Sequence, residues 1–192
     1  IDDYSNKYSF LITTFVIIFV TFFTKFYTRR KFSKLHLIAF LIIGWFVIII
    51  LGSIPFLNAD LGVNYNTILF ETISAVSTTG FMILGESIKD DSMLLIWRSC
   101  LQWIGGLYSV YTYIFILSSF FDIENLKIRT IGSKSYYILS ILKVYLLLSF
   151  LCFIFLLLSK NDFIDSLTLS MAINSSGGLA TMSGHIITEN LF

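Results

Sequence analysis

Four long apolar segments constrain this chain more than any other feature: residues 8–26, 36–56, 92–121 and 138–159. A helix rises about 1.5 Å per residue, so roughly 20 apolar residues cross the ~30 Å hydrocarbon core of a bilayer. Each segment is long enough, and the pattern predicts four transmembrane helices. The longest, 92–121, must tilt strongly or project beyond the bilayer. Composition agrees: 56% of the 192 residues are hydrophobic and 13% are charged. An ordinary soluble domain has about 45–50% and about 25%. Intrinsic disorder, which needs low hydrophobicity and high net charge, is excluded. A formal net charge of +1 leaves no basic excess for nucleic acid, so no such partner is expected. The expected class is an all-α integral membrane protein surrounded by lipid.

Charge distribution sets an orientation. Lys25, Arg29, Arg30, Lys31 and Lys34 join the first two segments with no acid among them, and Lys127, Arg129 and Lys134 lie between the third and fourth. The positive-inside rule places both loops in the cytoplasm. Between Phe56 and Ser92 the one base, Lys89, faces Asp60, Glu71, Glu86, Asp90 and Asp91, so that stretch belongs outside. The N-terminus, with Asp2 and Asp3, belongs there too. The basic clusters suit a topology signal, and equally a contact for anionic lipid or a cytosolic partner. No signal-peptide pattern follows Ile1. The chain closes at Phe192 just after a turn-rich stretch, and we expect a fragment of a longer protein. Cys100 and Cys152 lie in apolar runs without metal-ligand neighbours, so neither a disulfide nor a metal site is expected.

Two outer stretches are neither loop nor span. Residues 66–76 are apolar but too short to cross, with Asn66 placed as an N-cap, and they run into Ser77-Thr78-Thr79-Gly80-Phe81. Residues 162–174 repeat the pattern and run into Ser175-Ser176-Gly177-Gly178-Leu179. The two pentads are offset by 98 residues, as are Leu69 with Leu167 and Thr72 with Ser170. An internal repeat of span, short helix, turn and span accounts for this, with the short helix and turn forming a re-entrant loop. Irregular backbone at membrane depth persists where protein buries it or water lines it, so such a loop faces a pore.

The chemistry of the turn suits a dehydrated cation. Backbone carbonyls replace its water without a full charge that would trap it. Glycine accepts φ > 0, which lets successive carbonyls face one way, and the short helix directs its negative C-terminal end at the ion path. Ser77, Thr78, Thr79 and Gly80, with Ser175, Ser176, Gly177 and Gly178, are the candidate filter residues, and K+ is the ion they suit.

The third segment contains Trp97-Arg98-Ser99-Cys100-Leu101-Gln102-Trp103-Ile104-Gly105-Gly106. Arg98 and Gln102 share one helix face, and an ionisable residue inside a span is a functional hypothesis by default. Glu71 either pairs with Arg98 to brace the short helix, attracts the ion directly, or stands unpaired at the interface. Gly105 and Gly106 permit close helix approach. Lys143 suits snorkelling to the headgroups, His36 and His185 read as surface residues, and Trp97 and Trp103 as packing or interfacial anchors. There is no P-loop, no dinucleotide fingerprint and no metal-ligand spacing. Neither enzymatic activity nor a cofactor is expected.

Together with Gly52-Ser53-Ile54-Pro55-Phe56, Phe70-Glu71 and Ser77-Thr78-Thr79-Gly80, the third segment resembles the Trk/Ktr/HKT superfamily of potassium transporters, especially bacterial TrkH-type subunits. The resemblance runs from about Leu35 onward, and Leu179 stands where the second filter usually has an aromatic residue. It implies four helix–pore loop–helix repeats around one pore, with K+ uptake through a carbonyl filter. It also implies a bacterial inner-membrane location, a homodimer of the full-length chain and a cytosolic nucleotide-binding regulatory subunit. The family associates serine at a filter glycine with Na+ passage, so Gly80 and Gly178 favour K+. On this reading residues 1–34 hold an N-terminal helix and basic loop, 35–121 a first repeat, 122–134 a cytoplasmic linker and 135–192 an incomplete second repeat. A non-conducting membrane scaffold and a cation transporter of other selectivity, such as Na+, are the alternatives.

Overall fold

The computed structural model describes residues 34–59, 61–88, 91–120 and 134–177. The segment 8–26, most of both basic loops, Gly178, Leu179 and His185 lie outside the described residues. Every regular element among those described is a helix, in the order α1 (Lys34–Asn58), α2 (Tyr65–Val76), α3 (Gly85–Ile88), α4 (Ser92–Phe120), α5 (Lys134–Leu158) and α6 (Phe163–Asn174). Two stretches, Ile38–Asn58 and Ser140–Leu158, are long and apolar enough to cross a membrane. At 29 residues α4 also has the length, but Arg98, Gln102, Gly105 and Gly106 interrupt its apolar run. Phe40, Ile43, Phe46 and Ile50 on α1, and Leu147, Phe150, Leu151 and Phe155 on α5, are exposed. Helices apolar on their unpartnered sides suit a membrane.

The short helices are held between long ones. α2 packs against α1 and α4, and α6 against α4 and α5, so α4 touches both. Phe56, Ile68, Ala75, Val76, Leu84, Ile88, Leu94 and Leu101 form the core of the first half. Close approach there depends on glycine. A Cβ on Gly52 would lie 2.7 Å from a methyl of Leu101, and the Trp97 indole donates to the Gly52 carbonyl at 2.9 Å. Further along, a Cβ on Gly44 would meet the Tyr108 hydroxyl, which donates to Leu41 O at 2.8 Å. The Trp45 and Tyr108 rings meet edge to face at 5.5 Å.

The start of α2 differs from the sequence expectation. Asn64, not Asn66, is the N-cap, with extended backbone at φ −70° and ψ 150° and no side-chain cap bond. Its carbonyl accepts from the N–H groups of Thr67 and Ile68, so the helix begins where the backbone first turns, and Asn66 falls inside it. Asp162 occupies the same position before α6, also without a side-chain cap bond.

Because the Tyr108 hydroxyl ties α4 to the α1 backbone, Tyr108→Phe is expected to destabilise the protein by on the order of 1 kcal/mol. A lowered unfolding midpoint in detergent with unchanged helical content checks this, and an unaltered midpoint contradicts it.

Candidate functional site

α2 and α6 end in the same way. Their C-caps, Ser77 and Ser175, have φ −76° and −84° with ψ −1° in both. The next residues, Thr78 at φ 57° and Ser176 at φ 59°, are left-handed. Thr78 N–H then donates to Ala75 O and Thr79 N–H to Ser74 O, both at 3.0 Å, while Ser176 N–H donates to Ile173 O at 3.0 Å and Gly177 N–H to Ala172 O at 3.1 Å. This pair of reversed bonds is the Schellman motif, and it recurs at the 98-residue offset of the two pentads.

The glycines divide the work differently from the expectation. The left-handed position after each short helix carries a side chain, Thr78 or Ser176, at a cost on the order of 1–2 kcal/mol relative to glycine. The paired backbone bonds hold it there. Gly80, at φ 83°, does use glycine's conformational freedom. Gly177 does not: among the described glycines the positive-φ ones are Gly62 and Gly80. What Gly177 lacks is a Cβ, which would fall 1.5 Å from Gln102 Nε2.

α4 grips both turns through one face. Arg98 Nε donates to Glu71 Oε1 at 2.5 Å, and its Nη2 donates to Phe81 O at 3.2 Å. The second carboxylate oxygen of Glu71 accepts from the N–H groups of Ile83 at 2.7 Å and Leu84 at 3.0 Å. Glu71 is 0% and Arg98 2% exposed. Ser74 Oγ adds a 2.8 Å bond to Phe81 O. Glu71 is thus enclosed under the loop, and of its three possible roles the paired one matches this geometry. One helical turn along α4, Gln102 Nε2 donates to Gly177 O at 2.5 Å, beneath the second turn.

The tandem glycines repeat the division. A Cβ on Gly105 would lie 2.0 Å from Val76 O, at the end of α2, and one on Gly106 would lie 2.8 Å from Ser175 Cβ, at the end of α6. Arg98 and Gly105 therefore serve α2, while Gln102 and Gly106 serve α6.

A network that sequence reasoning missed supports the second turn. Asn174 Nδ2 donates to Ser149 Oγ at 2.7 Å and to Tyr145 O at 3.3 Å. Trp103 Nε1 donates to the same hydroxyl at 2.8 Å, and Tyr145 Oη to Trp103 O at 3.0 Å. Its members sit on three helices, and no local motif announces them.

Of the candidate filter residues, Ser77, Thr79 and Ser176 are exposed, Thr78 and Gly80 half-buried, and Ser175 and Gly177 buried. The hydroxyls of Ser77 and Thr79 are 2.7 Å apart and bonded. At the opposite end of α6, burial first and Asp162 second hold the Asp165 carboxyl above its ordinary range. Negative charge there complements the positive helix N-terminus, leaving the partial negative end at the turn. Cys100 and Cys152 are free thiols, and the described residues hold no cluster of three His, Cys, Asp or Glu side chains suited to a metal. The arrangement offers backbone carbonyls and hydroxyls.

Two curated proteins align with the chain. It is 29% identical over 162 residues to an uncharacterized cation transporter of Methanocaldococcus jannaschii, covering 80% of the chain and 34% of that protein. It is 31% identical over 102 residues to the Trk system potassium uptake protein TrkH of Vibrio parahaemolyticus, covering 51% of the chain and 21% of that protein. The alignments thus span about a third and about a fifth of these relatives' lengths. No family model matches the chain, and no solved structure matches it significantly.

Breaking a buried ion pair by removing one partner leaves an uncompensated buried charge. Glu71→Gln and Arg98→Met are each expected to cost about 3–5 kcal/mol, and the double variant less than the sum of the two. Unfolding midpoints in detergent measure all three, and additive or negligible losses would contradict the clasp.

Proposed function

We propose that the chain, which is similar to a cation transporter and to a Trk system potassium uptake protein, contributes two pore-loop repeats to a channel-like K+ pathway across the membrane. The turns at Thr78 to Gly80 and at Ser176 to Gly178 flank that pathway and supply its backbone carbonyls, and K+ moves down its electrochemical gradient into the cell. The observation that carries this reading is the duplicated turn: two short helices with the same Schellman ending at a 98-residue offset, both braced by α4. Each turn stands at the partial negative end of its helix, and its carbonyls carry enough dipole to replace cation hydration without holding the ion too tightly. The residues do not need to titrate or form covalent bonds for this, only to hold still.

The rest of the pore comes from further repeats outside these residues, in an inner-membrane protein that works as a homodimer. A cytosolic nucleotide-binding subunit meets the basic loops and regulates it.

A carboxylate at Gly80 would add a full charge and a side chain to a left-handed turn. In cells lacking their own K+ uptake systems, the full-length protein is expected to restore growth at low K+, and Gly80→Asp to abolish that growth while still reaching the membrane. Growth that survives Gly80→Asp contradicts the filter assignment. A wild-type protein that restores none favours the non-conducting scaffold.

A further inference from the structure

The two turns are braced by unlike chemistry. Beneath the first, an ionic clasp holds the return leg at Phe81, Ile83 and Leu84. Beneath the second, the amide of Gln102 reaches a carbonyl inside the turn itself, that of Gly177. The amide's orientation follows from chemistry, since two carbonyl oxygens at that separation repel and the nitrogen must face Gly177 O. Gln102 Oε1 is then buried, in a side chain 0% exposed, and among the described residues it has no hydrogen-bond partner. An orphaned buried acceptor is destabilising, so the amide is held by what its other end does. The residue at the corresponding place in the first turn is Thr79. It is exposed, and among the described residues no donor reaches its carbonyl.

We infer that Gln102 is a specificity-determining positioning residue that withholds the Gly177 carbonyl from the cation. Of the corresponding described pairs, Thr78 and Thr79 keep both carbonyls free, whereas Ser176 and Gly177 keep one, and the filter is built from unequal segments. This rests on the pore reading above. The glycine at 177 follows from it: any Cβ there displaces the Gln102 amide. A carbonyl released from Gln102 turns toward the path and adds a ligand whose position nothing fixes. A smaller ion such as Na+ gathers loose ligands more readily than K+ does, so discrimination falls.

The experiment is competition by K+ and by Na+ against tracer Rb+ uptake in cells expressing the full-length protein. Gln102→Met keeps the side-chain volume and removes the donor. It is expected to lower the K+ over Na+ preference about tenfold, the effect of about one hydrogen bond. Gly177→Ala breaks the same bond from the other side and is expected to give the same shift. The double variant should add nothing further, because both changes remove one interaction. If Gln102→Met fails to accumulate in the membrane, Gly177→Ala carries the comparison alone. An unchanged preference in either accumulating variant, or shifts that add in the double variant, overturns the inference and leaves the pore reading standing. A wild-type protein that takes up no Rb+ overturns both.

Discussion

The ion pair of Glu71 and Arg98 is the contact on which the first half of the structure depends. Removing two charges from water costs several kcal/mol per ion unless each is paired and its remaining bonds are filled. Here they are filled by the loop. Glu71 takes two backbone N–H groups from residues 83 and 84 besides the guanidinium, and Arg98 also holds the Phe81 carbonyl. The charges are satisfied only when the chain leaving α2 turns back over them. The pair therefore selects one path for residues 77–84, and that path presents Ser77 and Thr79 outward.

The second half reaches a similar backbone without that device. Leu169 stands where the 98-residue offset would put a second Glu71, and it is buried as an ordinary apolar residue. Neutral hydrogen bonds do the bracing instead: Gln102 to Gly177, and the Asn174, Ser149 and Trp103 network behind them. What the halves share is the helix ending and its dependence on α4. A single helix carrying Arg98, Gln102, Gly105 and Gly106 sets both turns against one reference.

Much of this is readable in the sequence because it obeys periodicity. Apolar length marks α1 and α5, the four-residue spacing of Arg98 and Gln102 places them on one face, and an acid on a short helix suggests a partner for the arginine. The turn positions are less legible. Glycine is the usual signal for left-handed backbone, yet Thr78 and Ser176 adopt it under the two reversed hydrogen bonds, which depend on helix geometry rather than residue type. Gly177 looks like a conformational glycine, but what requires it there is space for a side chain 75 residues away in sequence. Asn64 and Asn66 offer the same capping chemistry, and only the backbone path distinguishes them. The Trp103, Ser149 and Asn174 network has no sequence signature, since hydroxyls and amides on three helices become partners only after packing.

The position of the ion decides whether the two turns line a cation pathway. Anomalous scattering from Tl+ in crystals of the full-length protein would place a K+ substitute relative to both turns. Tl+ density is expected within coordination distance of the carbonyls of Thr78 and Thr79 and of Ser176, with the Gly177 carbonyl still bonded to Gln102. Ordered Tl+ elsewhere in the protein, with both turns packed against lipid or protein and no ion beside them, would contradict it.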